Sequence, residues 1–145
     1  MAEKERIFIV EDDPAFADLL QLHLAAAGYV VRVSVDGLAA LRAFEEEGPA
    51  LVTLDLALPA ISGFRLVQLF KRRRPEIPVL VVTALAFEEA EDTAYAGADD
   101  FLTKPFDPDQ LVQKVQFHLR PPRRRPAPAV PTARPPSPSR ELVRV

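Results

Sequence analysis

Four apolar runs in this sequence are followed or ended by polar residues whose types could do chemistry. Glu11, Asp12 and Asp13 come directly after RIFIV (6–10), Asp55 after ALVTL (50–54), Thr83 after PVLVV (78–82) and Lys104 after DFLT (100–103). An ionised carboxylate buried without partners costs several kcal/mol, or its pKa rises until it is neutral, so Asp55 needs either a surface or a partner. Two unit charges about 4 Å apart repel by roughly 4 kcal/mol at an effective dielectric of about 20. If the ends of these runs converge, three carboxylates share one rim, and Lys104 alone cannot neutralise them. Either some are protonated or a hard divalent cation binds. Oxygen-only donors with no His or Cys nearby favour Mg2+ (or Mn2+). Such a site beside a hydroxyl and an ammonium suits phosphoryl transfer, where catalysis is mainly positioning and charge neutralisation.

Taken singly, each residue has a plainer meaning. Asp13 before Pro14 is a helix N-cap, Glu11-Asp12 an exposed acidic pair, Thr83 a strand-end residue and Lys104 before Pro105 a loop lysine. Convergence of four separate strand ends is what favours the chemical reading.

The elements that must bring them together are visible in the pattern. Strand-length apolar runs at 6–10, 29–35, 50–54, 78–82 and 100–103 alternate with amphipathic stretches of helix length at about 14–27, 37–47, 63–74, 87–96 and 107–119. Punctuation agrees: Asp13-Pro14 and Asp107-Pro108 read as N-cap then first helical residue, Ser62-Gly63 opens the third helix, Gly28 follows the first, and KRRR (71–74) places cations at a helix C-terminus. Five βα units with continuous apolar strands predict an α/β, doubly wound, five-stranded parallel sheet with helices on both faces. About 120 residues suit the flavodoxin-like order 2-1-3-4-5, whose ligand site lies at the switch point between the first and third strands. That order makes Glu11 or Asp12 face Asp55.

Composition limits the remaining possibilities. At 145 residues, with 48% hydrophobic and 27% charged, the chain has the profile of one soluble domain. No eighteen-residue apolar window or signal-peptide core is present, and the absence of cysteine removes disulfides, thiolate nucleophiles and thiolate metal sites. The cytosol is the default compartment. Residues 1–120 carry 12 Lys and Arg against 20 Asp and Glu, a net −8, which makes a poor non-specific nucleic-acid binder. Residues 121–145 carry six Arg against one Glu, and eight of the 25 are Pro. That composition predicts a disordered linker or tail, and RELVRV at its end regains the alternation of a strand that would open an absent output domain.

The segments IFIVEDDP, LVTLDLALPAISGF, VLVVTALA and GADDFLTKPFDPDQL, in this order and spacing, give residues 5–120 a resemblance to the response-regulator receiver domain of two-component signalling. The resemblance implies that Asp55 is the phospho-acceptor, with Lys104 on one phosphoryl oxygen and Thr83 hydrogen-bonded to another. It implies Mg2+ held by Asp12 and Asp55, by Glu11 through a water and by the backbone carbonyl of Ala57. Thr83 and Phe101 take the place of the family's switch pair, and Lys104-Pro105 the place of its cis bond. The implied partners are a sensor histidine kinase or phosphotransfer protein. The face built by the helix expected over 87–96, the fifth strand and the fifth helix would then switch, with a homodimer through that face on phosphorylation.

Two departures bear on this reading. Positions 57 and 85 are Ala57 and Leu85, neither of which can orient a water. No Lys or Arg occurs from Glu88 to Thr103, and Gln110 stands where an acid is common, so the charge pairs of the family's dimer are incomplete.

The expectation is a non-enzymatic regulator whose receiver, 1–120, controls an output, transcription above all, through the segment 121–145, with DNA bound only by the absent domain. The alternative is a stand-alone receiver acting as a protein-binding switch or phosphorelay component. A phosphatase with an aspartyl-phosphate intermediate would want an acid at position 57. A nucleotide-binding fold would want a glycine-rich loop where VEDDP stands. His23 and His118 read as surface or packing residues.

Overall fold

The computed structural model describes residues 4–58, 61–84 and 97–120. In chain order these form β1 (Arg6–Val10), α1 (Pro14–Ala26), β2 (Val30–Ser34), α2 (Gly37–Glu47), β3 (Leu51–Leu54), α3 (Gly63–Arg73), β4 (Val79–Thr83), β5 (Asp100–Thr103) and α4 (Pro108–Leu119). The strands make one parallel sheet in the order β2-β1-β3-β4-β5, the flavodoxin-like order expected of this fold class. The helix expected over 87–96, Leu85, and the expected tail 121–145 lie outside the described residues. No helix of the described residues is long and apolar enough to cross a membrane.

The helix starts follow from their caps. Asp13 accepts from the Ala15 N–H at 3.1 Å, and Ser62 from Arg65 N–H at 3.1 Å. Asp107 and Gln110 form a reciprocal capping box, so Gln110 has a structural task at the position where an acid was the family's habit. Gly28, at φ +103°, takes the left-handed turn after α1.

Alternation along the strands divides the core in two. Phe8, Val10, Val52, Leu54, Val79 and Val81 pack against α2 and α3, around the Phe44–Phe70 contact at 4.7 Å. Ile7, Ile9, Leu51, Leu80, Val82 and Leu102 pack against α1 and α4 through Leu20, Leu24, Leu111 and Val115. Both faces are covered, so β1, β3 and β4 are mostly apolar, with Arg6 exposed at the start of β1 and Thr53 buried inside β3, and the charged residues of the site begin where the strands end.

Close approach fixes the loop beyond β3. A methyl group on Gly63 would lie 2.5 Å from Leu56 Cα, so only glycine lets α3 start directly against the residue that follows Asp55. At the outer edge, Arg32 of β2 pairs with Glu47 and lies over the Phe8 ring at 5.8 Å.

At the opposite edge β5 is tied to α4 by charge. Asp100 accepts from Lys114 Nζ at 2.9 Å and lies 2.9 Å from His118 Nε2. Burial pushes the Asp100 carboxyl up. The hydrogen bonds from His118, Lys114 and the Phe101 N–H outweigh it and hold it at about 2, below the ordinary 3.8. The stability this carboxylate contributes is complete above its unfolded pKa and is lost as pH falls towards about 2. Asp100→Asn should therefore lower stability by about 1–2 kcal/mol at neutral pH. In thermal melts, the gap between the wild type and this variant should close as pH is lowered through that window.

Candidate functional site

The C-terminal ends of β1, β3, β4 and β5 deliver the polar residues singled out in the sequence. Glu11 directly follows β1, and its N–H donates to the Ser34 carbonyl at 3.0 Å. Asp55 follows β3, with its N–H on the Val10 carbonyl at 3.1 Å. Lys104 follows β5, its N–H bonded to the Thr83 carbonyl at 2.9 Å. Each functional residue is thus held by a backbone bond to the neighbouring strand, one step beyond the regular ladder.

Glu11, Asp55 and Thr83 are buried, at 1%, 6% and 3% exposure, while Asp12 is exposed. The Lys104 ammonium lies 3.1 Å from Glu11 Oε1 and 3.2 Å from Asp55 Oδ2. The second Glu11 oxygen accepts from Asp13 N–H at 3.2 Å, and the second Asp55 oxygen from Ala57 N–H at 3.1 Å. The two buried carboxylates are each fixed by one backbone amide and share one ammonium.

The electrostatics show the crowding. Burial raises the Glu11 carboxyl to about 6, against the pull of Lys104 and the Asp13 amide and with the Asp55 charge adding to the rise. Burial alone would lower the Lys104 pKa, but the Glu11 and Asp55 carboxylates outweigh it and the ammonium is held above its ordinary value. One cation does not discharge the pocket.

The donor set fits a divalent cation. One oxygen each from Glu11, Asp12 and Asp55 lie within 4.8 Å of one another, all three are carboxylates, and Asp12 opens to solvent where an ion would enter. Asp13, beside them, is the N-cap of α1, as its plainer reading had it.

The remaining residues take these places. Thr83 ends β4, and Phe101 stands in β5 in register with Val81, two residues before Thr83. Phe101 is half-buried against the α2–α3 side of the core. The Lys104–Pro105 peptide is cis, as the resemblance implied. His118 pairs with Asp100, away from the acidic rim, and His23 is half-buried on α1.

Sequence reasoning passed over two aromatic residues. The Lys104 ammonium sits 3.9 Å from the centroid of the Phe16 ring, and Phe106 meets that ring edge-on at 5.7 Å. The only signal for Phe16 was an aromatic side chain in the first turn of the helix that follows the acids.

Comparison with known proteins agrees with this geometry. The family model described as "Response regulator receiver domain" matches residues 7–116. The chain is 42% identical over 118 residues to the "DNA-binding dual master transcriptional regulator RpaA" of Synechocystis sp., covering 79% of this chain and 49% of that protein. It is 37% identical over 120 residues to the "DNA-binding response regulator MtrA" of Mycolicibacterium smegmatis, covering 81% and 51%. The chain thus spans about half the length of the curated relatives it matches. Among solved structures, a CheY-like response regulator receiver domain protein of Methanospirillum hungatei JF-1 superposes with a TM-score of 0.78 at 31% identity, covering 81% of this chain and 94% of that one.

The shared ammonium makes a prediction. Lys104→Met leaves two buried carboxylates without their cation and should cost roughly 1–3 kcal/mol in metal-free buffer. Urea titrations with and without Mg2+ check it: the metal should stabilise the variant more than the wild type.

Proposed function

The chain belongs to the response-regulator receiver domains, and from that premise we propose that Asp55 accepts a phosphoryl group from a phosphohistidine of a sensor kinase or phosphotransfer protein. The observation that carries this reading is the fixed Asp55 carboxylate at the sheet mouth, with its partner ammonium 3.2 Å away.

An Asp55 oxygen attacks phosphorus, the phosphorus–nitrogen bond to the donor imidazole breaks, and an acyl phosphate results, later hydrolysed by water. The amide of Ala57 orients the Asp55 carboxylate, and the Lys104 ammonium pairs with a phosphoryl oxygen in exchange for its Asp55 contact. The Thr83 hydroxyl hydrogen-bonds a second oxygen. Asp12, Asp55, Glu11 through a water, and the Ala57 backbone carbonyl are the groups that would hold Mg2+ or Mn2+. When bound, that cation supplies neutralisation of the charge shared by the carboxylates and the phosphoryl group.

The output is conformational. Phosphorylation draws Thr83 towards the acceptor, and Phe101, two residues back along the same side of the sheet, follows into the space. The face that carries β5 and α4 then changes its preferred partner. Residues 121–145 act as a Pro/Arg-rich linker to an output domain that controls transcription, in the cytoplasm. The transcriptional regulators among the relatives, only about half of whose length is matched, support that assignment. A stand-alone switch or phosphorelay component is the second reading, favoured by the incomplete set of dimer charges.

Treatment of the full chain with acetyl phosphate and Mg2+ should add one phosphoryl group by intact mass, absent in Asp55→Ala; an unchanged uptake in that variant would overturn the assignment. Because Ala57 cannot position a hydrolytic water, the phosphorylated protein should last well beyond seconds at room temperature. Its decay, followed by the same mass measurement, checks this.

A further inference from the structure

Lys104 is held by more than its two carboxylates. Its ammonium carries three donors, two of them directed at Glu11 and Asp55, and its remaining side faces the Phe16 ring at 3.9 Å. That distance is well inside the range of a cation–π contact, and the Lys104 side chain is only 19% exposed, so water screens the attraction poorly.

The ring is itself fixed. Phe16 lies in the first turn of α1, whose start is set by the Asp13 cap and by Pro14, so its backbone is anchored to the acidic loop. Its edge is braced by Phe106, two residues beyond Lys104, at a near-perpendicular 87°. α1 and the loop after β5 therefore both bring an aromatic ring to this ammonium's surroundings.

Resting on the acceptor reading above, we propose that Phe16 is a positioning residue for phosphoryl transfer, its ring face holding the Lys104 ammonium at the mouth of the site while Lys104 exchanges Asp55 for a phosphoryl oxygen. A lysine is a flexible point charge that loses much rotamer freedom when it is fixed. During the exchange one of its carboxylate contacts is given up. The ring does not compete with the phosphoryl group, since it offers no acceptor oxygen and stays in place throughout. An aliphatic side chain would fill the same space without attracting the cation, and this separates positioning from packing.

The test compares the full-length wild type with Phe16→Leu and Phe16→Tyr. In metal-free protein, the ε-methylene protons of Lys104 should show an upfield ring-current shift by NMR. That shift should be lost in Phe16→Leu and kept in Phe16→Tyr. The rate of phosphoryl uptake from acetyl phosphate with Mg2+ should fall roughly three- to tenfold in Phe16→Leu and return to within about twofold in Phe16→Tyr. Thermal melts confirm that both variants are folded. A wild type without the shift, or a folded Phe16→Leu that accepts phosphoryl groups at the wild-type rate, would overturn the role. A wild type that shows the shift but takes no phosphoryl group on Asp55 would sink the acceptor reading and this role with it, leaving the ring as packing.

Discussion

A single ammonium between two buried carboxylates is the constraint on which this site depends. Glu11 and Asp55 leave adjacent strands at the same level, where both are removed from bulk water. Without a cation they would repel each other at a distance where the interior dielectric offers little relief. Lys104 reaches them from β5, with β4 in between. Strands spaced about 4.8 Å apart put β5 roughly 10 Å from β3, so the reach requires a long, flexible cationic side chain. The strand order, the length of that stem and the placement of the acids are thus one geometric requirement seen from three sides.

The sheet divides the residues of the site between its two layers. Ile7 and Ile9 point to the α1–α4 layer, and Glu11, next in that alternation, meets Lys104 and through it Phe16 on the same side. Phe101 packs with the opposite layer, against α2 and α3. Gly63 lets α3 begin directly against Leu56, while the Asp55 N–H bonds the Val10 carbonyl on the β1 side.

Much of this was legible before any coordinates. A strand buried on both faces carries no charge along its buried length, so its end is announced by the first charge, and the acids and Lys104 mark such ends, with Thr83 closing β4. Every described strand and helix boundary falls within one residue of the sequence pattern, because Asp-Pro and Ser-Gly pairs set the helix starts. Three features were hidden. Phe16 reads as core because an aromatic residue on a helix usually is, and only the packing of α1 against the loop after β5 places a cation on its ring. Asp100 reads as an ordinary strand residue, since its partners Lys114 and His118 lie on another element whose orientation the sequence does not state. Gln110 read as a missing acid because the comparison was with an intermolecular role, whereas its partner is Asp107, three residues back.

An open sheet has two outer strands, and the one at β2 is worth following to its end. Arg32 stands in the middle of that strand, tied to Glu47 of α2 and laid over Phe8. A charged side chain on an edge strand is one of the devices that disfavour pairing with a foreign strand. Val30, Val35 and Leu38 nearby are accessible apolar residues. The molecule can therefore display apolar surface around its rim and still discourage edge-to-edge polymerisation from that flank.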